Sequence, residues 1–328
     1  MDWRAEPFLR SQYFAVPPRP PTRTLLFAGV LFLLTLCTCL AAGTQFVNAY
    51  SQNLAASFDE FVHAYKLFYQ HPAGLLAGLP FALTLLTILL AHELGHFFAC
   101  RHHHIRSSYP YFLPFPSLIG TFGAFILIRS SIRTNRALFD VGASGPLVGF
   151  VFAIPALLYG IIHAKLVPGL ANLDQGDVAF GMPLLLRFFH AFLHPGVDAG
   201  SLLLPPVGRA AWIGLFVTSL NLLPVGQLDG GHILRSISPR LHRFTSLLVP
   251  FALIGLGLLH FWQSWYLWGA MLLGMRLLRV PPIYDPMPLD PIRRLGAFLT
   301  LVIFLLCFML APILIGNPQA TSTAITFH

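Results

Sequence analysis

Apolar stretches on the scale of a membrane crossing recur between residues 24 and 315, and no other feature constrains the fold as much. They occupy residues 24–42, 75–100, 138–162, 209–223, 246–260, 265–278 and 295–315. A helix needs roughly 20 apolar residues to cross hydrocarbon, and several stretches reach that length. Charge is scarce to match: Asp, Glu, Lys and Arg make up 10% of the chain, where a soluble protein carries roughly 25%. So few charges cannot cover a water-facing surface. The expected fold is an all-α polytopic membrane protein of about seven transmembrane helices, six to eight being the range. The stretches at 246–260 and 265–278 are where one crossing could be miscounted.

The formal net charge of +8 does not point to nucleic acid. The basic residues stand singly or in pairs between apolar stretches and form no stripe on a polar domain. They do orient the chain. With the N-terminus inside, Arg4, Arg10, Arg19, Arg23, Arg101, Arg106, Arg129, Arg133, Arg136, Arg235, Arg240, Arg243, Arg276, Arg279, Arg293 and Arg294 all fall inside. Lys66, Lys165, Arg187 and Arg209 fall outside. That positive-inside bias predicts a cytoplasmic N-terminus and an odd number of crossings. The domain reading is a cytoplasmic tail at 1–23, then a multi-span membrane domain at 24–328 with its catalytic core at about 75–235. The first apolar stretch exceeds the roughly 7–15 residues of a signal-peptide core, so it reads as an uncleaved anchor. Cys37, Cys39, Cys100 and Cys307 lie in or beside apolar stretches and read as small packing residues.

Between the second and third stretches, Tyr109-Pro110-Tyr111 and Pro114-Phe115-Pro116 precede a β-branched and aromatic run from Leu118 to Ile128 that contains Gly120 and Gly123. It is too short to span as a helix and reads as a re-entrant or interfacial β-hairpin, which a bilayer tolerates only against protein or a wet cavity. The outside segment 165–208 is expected to hold a surface-lying helix around 179–193.

Two acids stand out in span-associated sequence, Glu93 inside the second stretch and Asp229 just beyond residue 223, while Asp140 stands at the inner boundary of the third stretch. An acid at membrane depth costs roughly 2.5–3.5 kcal/mol on insertion scales, so its presence points to function. Glu93 belongs to His92-Glu93-Leu94-Gly95-His96, an H-E-x-x-H motif. On a helix the two imidazoles stack on one face and can bind one Zn²⁺, while the Glu points about 100° away, toward a water on the metal. Catalytic zinc needs a third protein ligand. His102 has the spacing of a longer H-E-x-x-H-x-x-G-x-x-H motif, but Ala99 replaces its turn glycine, so His102, His103 and His104 read as capping the helix end. Asp229 is the better candidate: it ends Asn221-Leu222-Leu223-Pro224-Val225-Gly226-Gln227-Leu228-Asp229-Gly230-Gly231, where Pro and Gly break the helix and free the backbone to turn the carboxylate inward.

Together these motifs resemble the site-2 protease family of intramembrane zinc metalloproteases, whose pattern pairs H-E-x-x-H with N-x-x-P-x-x-x-L-D-G in a later span. The resemblance covers roughly residues 75 to 235 and matches the long motif at Asn221, Pro224, Leu228, Asp229 and Gly230. It implies that His92, His96 and Asp229 bind one Zn²⁺ per chain, that Glu93 is the catalytic base, and that Asn221 helps hold substrate or the oxyanion. Ser144-Gly145-Pro146 looks like the family's small-Gly-Pro feature, and the Gly120/Gly123 hairpin like its membrane-embedded β element. No inter-span segment is long enough for the PDZ domain many members carry. The implied partners are the lipid bilayer and a transmembrane substrate of the single-span kind, cleaved by regulated intramembrane proteolysis, with no nucleic acid. The implied location is a bacterial inner membrane. The competing readings are a divalent-metal membrane transporter, an inactive membrane chaperone or scaffold, and a membrane zinc protease that uses His102. Asp140 reads as a helix-start residue, Ser144 as a packing residue and His232 as an interfacial histidine, the alternative for His232 being a group that supports a metal ligand from behind.

Overall fold

The computed structural model describes residues 22–170, 177–276 and 287–316, so most of the expected tail lies outside the described residues. The chain enters as helix α1 (Thr22–Gln52), then strand β1 (Ala56–Ser57) and helix α2 (Phe58–Gln70). A 3₁₀ turn, Pro72–Gly78, leads into α3 (Leu79–His102). Strands β2 (Tyr111–Pro114) and β3 (Thr121–Phe125) precede α4 (Asn135–Ile162), whose N-cap Thr134 accepts from the backbone N–H of Ala137. Then follow β4 (Lys165–Leu166), β5 (Asp177–Phe180), α5 (Leu184–Leu193) and β6 (Leu202–Leu203). The C-terminal half contains α6 (Pro206–Asn221), α7 (Asp229–Ile237), α8 (Pro239–Leu258), α9 (Trp265–Met275), α10 (Pro291–Cys307) and β7 (Ile313–Ile315).

The chain is mostly helical, and four of its helical segments are long and apolar enough to cross a bilayer: α1, α3 with its leading 3₁₀ turn, α4 and α8. The other expected crossings coincide with α6, α9 and α10, of 16, 11 and 17 residues. At 1.5 Å per residue these reach about 24, 17 and 26 Å, short of a hydrocarbon core of about 30 Å. Large apolar side chains such as Leu26, Leu33, Val151, Phe152, Leu248 and Phe298 point outward, as a lipid-facing surface requires. The interior is close-packed around α3, α4 and α6. Phe81, Leu85, Ile88, Trp212, Ile213 and Leu215 are buried there, and Gly160 of α4 meets Gly208 of α6 backbone to backbone.

The hairpin forms where it is expected. Its antiparallel strands pair Tyr111 with Phe125 and Pro114 with Thr121. Helix α1 lies against it: Thr38 Oγ1 donates to the Gly120 carbonyl at 2.5 Å, and Gln45 Nε2 to the Leu118 carbonyl at 2.8 Å. These bonds satisfy strand-end carbonyls that lipid could not. Gly120 sits at φ +86°, and a methyl group added there would lie 2.6 Å from the Cys39 Cα, so only glycine fits the approach.

Three expectations are corrected. The fold is not all-α beyond the hairpin: β5 pairs with both β1 and β7, and β4 pairs with β6. The apolar run 295–315 is helical only to Cys307, because Ile313–Ile315 pairs with Phe180, Ala179 and Val178. The surface helix expected around 179–193 starts only at Leu184, since Asp177–Phe180 is the central strand of that sheet. In each case an apolar run is claimed by strand pairing with a distant segment, which local periodicity does not encode.

Candidate active site

His92, Glu93 and His96 lie on α3 and are 4%, 5% and 6% exposed. Glu93 stands nine residues before the helix end at His102, about 14 Å along the axis. One turn apart, the two imidazoles meet edge to face with centroids 4.8 Å apart and Nε2 atoms 3.1 Å apart. Nδ1 of His96 lies 2.6 Å from the Val141 carbonyl of α4. That bond requires the proton on Nδ1, which leaves Nε2 as a lone-pair donor.

Asp229 reaches the same point from the other half of the chain. Helix α6 stops at Asn221, and a tight turn through Pro224 and Gly226, with φ +56° at Gly226, restarts the chain as α7 at Asp229. Methyl groups on Gly230 and Gly231 would lie 2.0 Å from the Leu222 carbonyl oxygen and 2.6 Å from that of Val225, so the turn closes only with glycine there. Helix α8 holds the turn from behind. Thr245 donates to the Pro224 carbonyl at 2.6 Å, the Gly226 N–H donates to Ser246 Oγ at 3.1 Å, and His242 Nε2 donates to the Gly226 carbonyl at 3.0 Å.

The Asp229 carboxylate thereby places Oδ2 3.2 Å from His92 Nε2 and Oδ1 3.3 Å from His96 Nε2. Among the described residues these three side chains form a group able to hold a metal ion. The spacing fits zinc. With Zn–N and Zn–O bonds of about 2.0–2.2 Å in a tetrahedron, neighbouring ligand atoms should lie about 3.3–3.5 Å apart; the two Nε2 atoms are 3.1 Å apart, and each lies 3.2 or 3.3 Å from its nearer oxygen of Asp229, Oδ2 for His92 and Oδ1 for His96. The donor set, two imidazoles and one carboxylate, also leaves a fourth position open.

Glu93 is not one of the three donors but lies beside them, with the backbone N–H of Ile126, just past β3, near its carboxylate. The hairpin thus lies close to the acid. Asn221 places its amide nitrogen 3.3 Å from His92 Nε2, on the rim of the same cluster. His102 does not join it. Its side chain lines an apolar groove of about 710 Å³ between α3 and α4 that contains none of the three donors.

Several contributors carry no signature of their own in the sequence. A methyl group on Gly145 would lie 2.1 Å from His96 Nε2, and one on Gly149 3.1 Å from the His92 Cβ. One face of α4 is therefore bare backbone where the imidazoles press against it. Ser144 is the packing residue expected: its carbonyl would lie 2.6 Å from a methyl group on Gly95. His232, one turn after Asp229, packs against Gly142 of α4. Asp140 lies near the start of α4, as expected, and is paired there. It accepts from His103 Nε2 at 2.7 Å and from Arg293 at 2.6 and 2.8 Å through two guanidinium nitrogens, joining α3, α4 and α10. Arg293 also pairs with Asp290, the N-cap of α10, whose carboxyl is held below the usual carboxylate range by the Arg293 backbone N–H and guanidinium.

The sequence model of peptidase family M50 matches residues 80–257, which include all five residues of the cluster and its rim. The chain is similar to a probable zinc metalloprotease EGY1, chloroplastic, of Oryza sativa subsp. japonica, at 31% identity over 245 residues, 72% of this chain and 41% of the relative. It is 32% identical over 191 residues to the Arabidopsis thaliana protein of that name, covering 56% of this chain and 34% of the relative. With the probable zinc metalloprotease EGY2, chloroplastic, of Arabidopsis thaliana, identity is 30% over 243 residues, 70% of this chain and 41% of the relative. The chain thus spans about two fifths or less of the length of these relatives.

Proposed function

The chain belongs to peptidase family M50, and from that premise we propose that it is an intramembrane zinc metalloprotease that hydrolyses peptide bonds within or near transmembrane helices of membrane proteins. The observation that carries the proposal is the cage of His92, His96 and Asp229, with donor separations suited to zinc and a glutamate beside it. Bound there, zinc would lower the pKa of a water toward about 7 and polarise a substrate carbonyl.

The remaining roles fall to the chain's own residues. Glu93 accepts the proton of the attacking water and passes it to the leaving amine. The nearby Ile126 N–H helps to aim the carboxylate. The Asn221 amide, already turned toward the cluster, donates to the oxygen on which negative charge develops. The Val141 carbonyl fixes the His96 ring and its tautomer. The exposed edge of the hairpin offers backbone groups to an unwound substrate segment, which suits a single-span substrate whose helix must open before it can be cut.

In this reading the catalytic core at about 75–235 belongs to a domain of seven crossings, with α6, α9 and α10 completing the count of the four longer segments. The arginine-rich ends face the cytoplasm, the N-terminus included. The names of the relatives reported above give a chloroplast location and lend no support to the bacterial inner membrane. The charge asymmetry supports only the orientation of the chain, and membrane fractionation of the source cells tests which membrane holds it. A metal transporter would need polar side chains strung along a path, whereas here they converge on one cage.

Glu93→Gln should retain one zinc per chain while cleavage falls by about 10²–10⁴-fold, the usual contribution of a general base. Metal analysis of the purified variant, with quantitative proteomics of membrane fractions, reads both quantities. Single-span proteins accumulating uncut would be the substrates, and full cleavage by the variant would remove Glu93 from its role.

A further inference from the structure

Some distance from the metal cage, a positive charge lies half buried without an anion. Arg209 sits in the first turn of α6, twelve residues before Asn221, about 18 Å along that helix. Its guanidinium carbon lies 3.9 Å from the centroid of the Phe180 ring, which is held edge-on against Trp212 with centroids 5.1 Å apart. Among the described residues no carboxylate or carbonyl is hydrogen-bonded or ion-paired to that guanidinium, and its one recorded partner is the face of the ring. The N-terminal end of a helix is an unfavourable place for a cation, because the exposed backbone N–H groups already carry partial positive charge. Arginine there calls for a counter-charge.

The space for one is present. Arg209 lines a cavity of about 140 Å³ whose walls come from Ala56, Phe180, Leu203 and Trp212. Taking roughly 30 Å³ as the share of one water in the liquid, this holds four or five waters. It is too small for a peptide strand or an acyl chain but ample for one oxyanion. The planar fork of a guanidinium matches two oxygens of such an anion.

We propose that Arg209 and this cavity form a phosphate-binding site, at the opposite end of α6 from the metal cage, that takes the phosphate of a lipid headgroup or a free phosphate ion. The site stands independently of the protease reading, since no metal donor contributes to it. By binding across β1, β5 and the start of α6 it would fasten the small sheet to the helix that ends in Asn221.

The test uses full-length protein in neutral detergent, stripped of lipid, and follows thermal unfolding with added inorganic phosphate against chloride at equal ionic strength. A parallel series adds phosphatidylglycerol or, as a phosphate-free control, diacylglycerol. At saturation, phosphate should raise the midpoint by about 3 °C or more, and Arg209→Gln should weaken the apparent affinity at least tenfold. Arg209→Lys, which keeps the charge but not the fork, should fall between the two. Stabilisation by phosphatidylglycerol at lower concentration than by phosphate identifies the lipid as the source; the reverse order identifies the free ion. A wild-type midpoint indifferent to both phosphate and phosphatidylglycerol overturns the proposal, whether or not the variants fold, as does an equal response in Arg209→Gln.

Discussion

Replacing Gly145 with alanine should empty the metal site without touching a donor. The added methyl would lie 2.1 Å from His96 Nε2 and 2.4 Å from its Cε1, where ordinary contact begins near 3.4 Å. The ring would have to retreat by about 1.3 Å, and it has little freedom to do so. Its other nitrogen is bonded to Val141 at 2.6 Å, and the ring is 4.8 Å from that of His92. Metal ligation tolerates about 0.2 Å. Altering residues that merely orient ligands typically costs 10–100-fold in metal affinity, so displacing a ligand outright should cost at least 100-fold, or about 2.8 kcal/mol. Overpacking adds about 1–3 kcal/mol of lost stability. Zinc per chain by mass spectrometry, with the unfolding midpoint, measures both. Gly149→Ala, 3.1 Å from the His92 Cβ, should lose less metal, and Gly29→Ala, with open space around it, should lose none. Gly145→Ala protein with a full complement of zinc and an unchanged midpoint would refute the close approach of α4 to His96.

The other predictions concern the third donor and the helix ends. Asp229→Asn should lose most of its zinc and His102→Ala should keep it, because Asp229 stands 3.2 Å from His92 while His102 lines a separate groove; metal analysis of the two variants, giving the opposite order, would reinstate the longer histidine motif. Asp140→Asn should leave zinc in place but lower stability by about 1–2 kcal/mol, a range discounted for the partial exposure of Arg293. Chemical denaturation alongside metal analysis would show whether the two effects separate in that way.

The chemistry of the site was more legible than its support. His92 and His96 face one way because a helix turns once every 3.6 residues, and Pro224 with the glycines after it announces a break that Asp229 can exploit. Those are local rules, and the sequence carries them openly. Gly145 and Gly149 are different. Nothing in their neighbourhood says which helix they face, and their purpose appears only when α4 is laid against α3. His242, Thr245 and Ser246, which hold the turn before Asp229, look in sequence like ordinary polar residues near a helix start. The small sheets were not foreseen for the same reason: Ile313–Ile315 is as apolar as the helix before it, and only Asp177–Phe180, far away in the chain, makes it a strand. Of the seven expected crossings, four coincide with helices long and apolar enough to span, and the other three with the shorter helices α6, α9 and α10.

The distance in sequence between the histidine pair and its carboxylate also orders events in time. His92 and Asp229 are 137 residues apart, and the turn that presents Asp229 is braced by side chains still further on, in α8. A growing chain that has placed α3 in the bilayer therefore displays two imidazoles and a glutamate but no complete grip on a metal. On the proposed function, chelation would wait until α6, α7 and α8 have docked, so a half-built molecule would be unable to cut its neighbours while it is being made.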